Sequence, residues 1–257
     1  MTVFERPEVG RFCWVELQTP DLAGARRFYG DLFGWTFEEM AMDGIAYTMA
    51  RTRGTEVAGM LAPPPGASAT VPPHWSGYVA VDDVAASAAA ATRLGGKVLV
   101  PPTRLGTGTF AAIADPTGAS FLLWHTTRPM GSFLYGETGA NTWNELLSSN
   151  ADVAQRFYTE LFGWRAEPMP GMSYTIFKKG DEMVAGLMPQ PPHMQGAPSM
   201  WATYFAVADA DSTVAAGSRL GAKVLMPGTD IPDVGRFAWL QDPQGAVVAI
   251  IKNARPA

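Results

Sequence analysis

Two glutamates sit at matching places in a repeated motif. Glu16 lies in FCWVELQ (12–18) and Glu145 in NTWNELLS (141–148). Each follows a tryptophan by two residues, Trp14 or Trp143, among apolar neighbours. A carboxylate in apolar surroundings loses hydration, which disfavours its charge and raises its pKa. It can then act as a general acid or base near neutral pH. The same glutamates can instead be structural, bonded to backbone amides or to an arginine across an interface. The repeated Arg27 and Arg156 are candidate partners, or simply helix-surface residues. His74, His125 and His193 are the whole histidine supply, and Cys13 is the single cysteine. One cysteine makes neither an intramolecular disulfide nor a zinc cluster. Any metal site must use these histidines or carboxylates.

The glutamates need strands to aim them. Residues 12–18 alternate, which predicts a strand with Phe12, Trp14, Glu16 and Gln18 on one face and Cys13, Val15 and Leu17 on the other. Thr19 or Asp21 then caps a helix over 21–33, closed by Gly34. Strands are expected at about 35–39, 45–50 and 56–61, and a Pro-rich loop over 63–73. A strand over 75–81 and an Ala-rich helix over 84–94 follow, then strands at about 97–100, 109–114 and 119–125. DPTG (115–118) is the turn between the last two. The order is β-α-β-β-β, twice.

All of this recurs. WVELQTPDLAGARRFYGDLFGW (14–35) and WNELLSSNADVAQRFYTELFGW (143–164) agree at eleven of twenty-two positions. WSGYVAVDD (75–83) answers WATYFAVAD (201–209), LGGKVLVP (94–101) answers LGAKVLMP (220–227), and DPTGA (115–119) answers DPQGA (242–246). Glu8 and Gly10 recur as Glu137 and Gly139. The boundaries expected are a first domain over 1–125, a linker over 126–136 and a second domain over 137–257.

The 257 residues are 47% hydrophobic and 17% charged, so a sizeable core is expected and disorder is not. The net charge of −5 argues against a nucleic-acid partner. No apolar run reaches the length of a membrane span, and the N-terminus lacks the apolar segment of a signal peptide. A cytoplasmic protein with no membrane partner is the expectation.

The joint order of Asp21…Arg27-Phe28-Tyr29…Leu32-Phe33-Gly34-Trp35, Val81-Asp82-Asp83 and Asp115-Pro116-Thr117-Gly118, all repeated, resembles the vicinal oxygen chelate superfamily. Its members include glyoxalase I, bleomycin-resistance proteins, fosfomycin-resistance enzymes and extradiol dioxygenases. The duplicated form is similar to a tandem actinomycete subgroup labelled hydroxylase or glyoxalase-like. The resemblance implies an α+β fold: two tandem domains, each of two βαβββ modules whose mixed sheets form an open cup. Metal-containing members place one His, Glu or sometimes Gln ligand on each of four strands. Those positions fall on Trp14, on Gly59 or Met60, on Ser76 and on Leu122. In the second repeat they fall on Trp143, on Gly186 or Leu187, on Ala202 and on Ala249. None is His, Asp or Glu. His74 shares a strand face with Ser76, but its counterpart is Met200. His125 falls on the face opposite Leu122 and Trp124, and His193 in a loop. The expectation is no bound metal and no other cofactor.

Alternation then puts Glu16, Gln18, Tyr78 and Trp124 in the first cup beside the positions above, and Tyr204 in the second. Such cups suit a flat, small apolar molecule of antibiotic or aromatic polyketide type. The first functional reading is a metal-free binder of such a molecule. The alternative is a metal-independent enzyme of secondary metabolism using Glu16 or Glu145. A metal-dependent lyase or dioxygenase is disfavoured by the residues at the ligand positions. The covalent pair of repeats lets a monomer be complete, and a homodimer stays open.

Overall fold

The computed structural model describes residues 2–4, 8–63, 71–106, 108–126, 133–194 and 196–254. Its elements run β1 (Thr2–Phe4), β2 (Phe12–Gln18), α1 (Leu22–Phe33), β3 (Thr36–Met42), β4 (Ile45–Thr52), β5 (Thr55–Leu61), β6 (His74–Ala80) and α2 (Val84–Arg93). Then come β7 (Lys97–Leu105), β8 (Gly108–Ala114), β9 (Ser120–Thr126) and β10 (Phe133–Tyr135). The second repeat holds β11 (Asn141–Ser148), α3 (Ala151–Phe162), β12 (Arg165–Pro168), β13 (Thr175–Lys179) and β14 (Glu182–Pro189). After a 3-10 turn (Pro192–Met194) it continues with β15 (Met200–Ala206), α4 (Ala210–Arg219), β16 (Lys223–Ile231), β17 (Gly235–Gln241) and β18 (Val247–Asn253).

Each repeat builds its own mixed sheet. The first has the order β1-β10-β5-β2-β6-β9-β8-β7, with β4 paired to β5 and β3 to β4; the second runs β12-β13-β14-β11-β15-β18-β17-β16. At the centre of each, one module meets the other through an antiparallel pair, β2 with β6 and β11 with β15. Parallel pairs flank them, as expected of two βαβββ modules joined edge to edge. The helices are capped as their sequences require. Asp21 accepts from the Gly24 amide at 2.8 Å, and Asn150 from the Val153 amide at 3.1 Å. Gly34 (φ 70°) and Gly163 (φ 66°) end α1 and α3 in the left-handed conformation that glycine adopts without Cβ strain.

The two sheets are held by shared cores, each drawing on both repeats. Val15, Leu17, Ala25, Phe28, Ala58 and Met60 pack in one cluster with Phe205, Leu240 and Val248. Phe121, Leu123 and Ile113 pack in the other with Leu146, Phe157 and Leu187. The repeated motifs close this interface reciprocally. The Tyr29 hydroxyl donates to the Asp242 carboxylate at 2.8 Å, and Tyr158 to Asp115 at 3.0 Å. The Trp35 indole donates to the Gly139 carbonyl and Trp164 to the Gly10 carbonyl, both at 2.7 Å. Thus the RFY and FGW strings of one repeat bind the DPxG turn and the glycine lead-in of the other.

Three local expectations change. The strict alternation over 12–18 breaks at its start: Phe12 pairs with Val79 and Trp14 with Tyr78, a bulge that fits one extra residue. Phe12 therefore turns to the shared core, 5.1 Å from the Trp201 ring, while Cys13 joins the cup cluster. The strand after α2 runs on through Pro101 and Pro102 to Leu105, which an edge strand tolerates because an outward N–H need not pair. The expected linker is not all loop. Residues 127–132 lie outside the described residues, but Phe133–Tyr135 pairs with β1 and β5 and widens the first sheet. The Pro-rich loop expected over 63–73 also lies largely outside them.

Candidate functional site

The concave face of the first sheet carries Trp14, Tyr47, Met49, Tyr78 and Trp124, flanked by Leu122, Leu61 and Phe110. The strand register explains which residues point there. Glu16 pairs with Ser76 across β2 and β6, and with Gly59 across β2 and β5. Trp14 pairs with Tyr78, Tyr78 with Leu122, and Leu122 with Ala112. These form successive rows on one face. Gln18 lies one row beyond Glu16, beside His74.

Glu16 sits at the centre of a hydrogen-bonded set. The Tyr78 hydroxyl donates to its Oε1 at 2.8 Å, and the Tyr47 hydroxyl lies near enough to the same carboxylate to favour its charged form. The Tyr47 hydroxyl in turn accepts the Trp14 indole N–H at 2.9 Å. Burial pushes the Glu16 carboxyl up to about 7, against the opposing pull of the two tyrosines. Burial and the adjacent carboxylate hold Tyr47 and Tyr78 well above the ordinary phenol range, so both stay neutral donors. The second cup repeats the plan. Tyr204 donates to Glu145 at 2.9 Å, the Tyr174 hydroxyl lies near enough to the same carboxylate to favour its charged form, and Trp143 donates to the Tyr174 hydroxyl at 2.9 Å. Burial again raises the carboxyl.

Glycine is required beside each set. A Cβ on Gly59 would lie 1.7 Å from the Tyr47 hydroxyl oxygen, and one on Gly186 would lie 1.9 Å from that of Tyr174. The glycines leave room for a phenol to reach the glutamate.

The structure therefore brings Trp14, Glu16, Gln18, Ser76, Tyr78, Leu122 and Trp124 to one cup, and Trp143, Glu145, Ala202, Tyr204 and Ala249 to the other. Met60 and Leu187 do not belong there. Met60 pairs with Leu17 and is fully buried in the shared core, and Leu187 is buried likewise on the face of Leu146. The cup-facing choices are Gly59 and Gly186, because parallel partners share a face and their partners are the glutamates. Arg27 and Arg156 are exposed on α1 and α3, and tyrosines take the place of an arginine partner for the glutamates. Arg236 forms surface ion pairs with Asp211 and Asp230. His125 bonds the Val81 carbonyl at 3.0 Å. Sequence reasoning missed Tyr47 and Tyr174; the recurrence of Tyr-Thr in GIAYT and GMSYT was the available signal.

A divalent ion does not fit the four family positions. An indole, a glycine, a serine and a leucine replace the expected imidazole and carboxylate donors in the first cup, and two alanines take part in the second. Among the described residues no three His, Cys, Asp or Glu side chains converge. No helix there is long and apolar enough to cross a membrane.

The fold and both cups place the chain in a known class. The profile of the Glyoxalase/Bleomycin resistance protein/Dioxygenase superfamily matches residues 11–123 and 143–250, and the chain belongs to that superfamily. Over 247 residues it is 43% identical to the putative glyoxylase CFP32 of Mycobacterium tuberculosis, covering 94% of each chain. Over 259 residues it is 32% identical to the anthracycline biosynthesis protein DnrV of Streptomyces peucetius, covering 95% of this chain and 93% of that one. Among solved structures, the Mn(II)-bound glyoxalase from Novosphingobium aromaticivorans superposes with a TM-score of 0.65 at 17% identity, over 97% of this chain and 84% of that one. The 2,2',3-trihydroxybiphenyl 1,2-dioxygenase from Sphingomonas wittichii gives 0.63 at 16% identity, over 96% and 91%. At such identities the structures show a shared fold alone.

Proposed function

We propose that this protein binds a small, planar, largely apolar molecule in a cup of the superfamily fold, without a metal ion. The observation that carries the reading is the Glu16–Tyr47–Tyr78 set, which lies beside Gly59 and Ser76 in the strand register, two of the positions where the resemblance implies metal ligands. Aromatic walls from Trp14, Tyr78 and Trp124 suit a flat ring system, and the carboxyl and phenols suit its oxygen substituents. The relative named for anthracycline biosynthesis supports an aromatic polyketide-like ligand. A cytoplasmic protein with domains over 1–125 and 137–257, able to be complete as a monomer and with a homodimer left open, completes the proposal.

One feature favours a second reading. A carboxyl titrating at about 7 holds its proton through half the population near neutral pH. It is then poised to take a proton from a bound phenol or an acidic C–H and return it elsewhere. That would make the protein a metal-independent proton-transfer enzyme. Chelator-treated protein titrated with 1,8-dihydroxyanthraquinone, followed by tryptophan fluorescence, tests the shared core of both. Micromolar binding is expected. Absence of saturable binding to this and related polycyclic ketones would overturn the proposal. Mass spectrometry of the recovered compound separates the two readings: unchanged for a binder, altered for an enzyme.

A further inference from the structure

The two cups have the same plan but different fillings. In the first, the row across the floor reads Trp14, Tyr78, Leu122 and Ala112. In the second it reads Trp143, Tyr204, Ala249 and Trp239. A tryptophan thus occupies the second floor where the first has only a methyl group. Trp239 is 8% exposed and donates its indole N–H to the Tyr204 hydroxyl at 3.1 Å. It completes the chain Trp239–Tyr204–Glu145 inside the protein. In the first cup the large ring, Trp124, stands one row further out, opposite Phe110.

The polar groups differ in the same direction. Gln18 and Ser76 border Glu16, and Ser120 lies two residues before Leu122 on β9. Leu147, Ala202 and Val247 occupy the matching places around Glu145 and are apolar. Met188, Met194 and Met200 pack on that second cluster as well. Around the glutamates accessibility differs in the same sense: Glu145 is only 7% exposed, whereas Glu16, Ser76, Leu122 and Ala112 keep open surface; at the rim the order reverses, with Trp143 and Tyr174 half-buried where Trp14 and Tyr47 are buried.

The Trp124 indole N–H is the most informative group. Trp124 is 9% exposed, and its Nε1 has no hydrogen-bond partner among the described residues. Leaving a buried donor unpaired is costly. Its counterpart position holds Ile251, which has no such donor, and Trp239 in the second cup is satisfied internally. The first cup therefore lacks an acceptor that the second does not need.

We infer that ligand binding is confined to the first cup: Trp239 plugs the second from within, and the first takes a planar aromatic carbonyl compound whose oxygen accepts from Trp124. This rests on the binding function proposed above and adds site, stoichiometry and the acceptor. Glu16 then faces the opposite edge of the ring, where a ligand hydroxyl can donate to it.

Equilibrium dialysis with 1,8-dihydroxyanthraquinone tests the assignment. Wild-type protein is expected to hold one equivalent per chain. Ala112→Trp, which copies the second cup's plug, is expected to weaken binding at least tenfold. The double variant Gln18→Leu/Ser76→Ala copies its apolar border without adding a ring, should fold even if Ala112→Trp does not, and is expected to weaken binding by a similar factor. Trp239→Ala is expected to raise the stoichiometry towards two. Two equivalents in the wild type, or full affinity in the folded double variant, would overturn this inference and leave the binding function standing. Absence of any binding would overturn both.

Discussion

Replacing Glu16 by Gln is expected to change how stability depends on pH, by an amount set by the site. The carboxyl, ordinarily near 4.5, is pushed up to about 7 in the folded chain. At 1.36 kcal/mol per unit, that corresponds to about 3 kcal/mol between the protonated and ionised forms. Because the folded pKa is raised, the folded chain holds a proton that the unfolded chain has released between about 4.5 and 7. Glu16 therefore contributes its full stability below about 4.5 and loses it as pH rises through about 7. Partial exposure of the side chain admits water, so the realised loss is about 1–3 kcal/mol. Gln keeps an acceptor for Tyr78 and has no proton to lose. Urea denaturation from pH 4 to 8 measures the difference between the two proteins. The variant should gain about 1–3 kcal/mol on the wild type across that window, then run parallel above it. A flat difference, or a wild type that gains stability on the variant as pH rises, would refute the assignment of a carboxyl that holds its proton in the cup.

Further predictions follow the same geometry. Tyr158→Phe removes the donor to Asp115 and the acceptor of the Trp201 indole, leaving buried groups unpaired; denaturation should show a loss of about 1–3 kcal/mol. Gly59→Ala should displace Tyr47 and cost about 1–3 kcal/mol, with a change in the near-ultraviolet dichroism of the aromatic cluster. Trp124→Phe keeps the ring and removes the N–H; affinity for the anthraquinone should fall about tenfold, the equivalent of one hydrogen bond, while melting is little changed. Exhaustive dialysis against a chelator should leave both the melting temperature and the binding constant unaltered. A loss of either, restored by a divalent ion, would count against a metal-free cup.

Much of the architecture is visible in the chain before folding. The repeated RFY, FGW and DPxG strings mark the modules because each makes half of a reciprocal bond between repeats, so both copies are held to the same residues. The glutamates are visible because alternation carries them into the cup with their tryptophans. Alternation is blind to bulges, which is why Phe12 and Cys13 fall on the faces opposite to those expected. Parallel pairing also sets the register of β5 and β14 from outside their own sequences, so Gly59 could not be told from Met60, nor Gly186 from Leu187. Tyr47 and Tyr174 reach the glutamates from separate strands or turns, through space that two glycines leave empty. That partnership exists only once the sheets have curled. The difference between the cups lies in single residues, Ala112 against Trp239 and Trp124 against Ile251, whose meaning depends on which row each occupies.

A crystal structure of the chelator-treated protein grown with 1,8-dihydroxyanthraquinone tests the central claim most directly. The account predicts one molecule in the first cup, flat against the aromatic wall, with one oxygen within hydrogen-bond distance of the Trp124 indole nitrogen and the opposite edge facing Glu16. A second cup still closed by Trp239 should accompany it. A ligand seated outside the first cup, or a metal ion coordinated within it, would contradict the account.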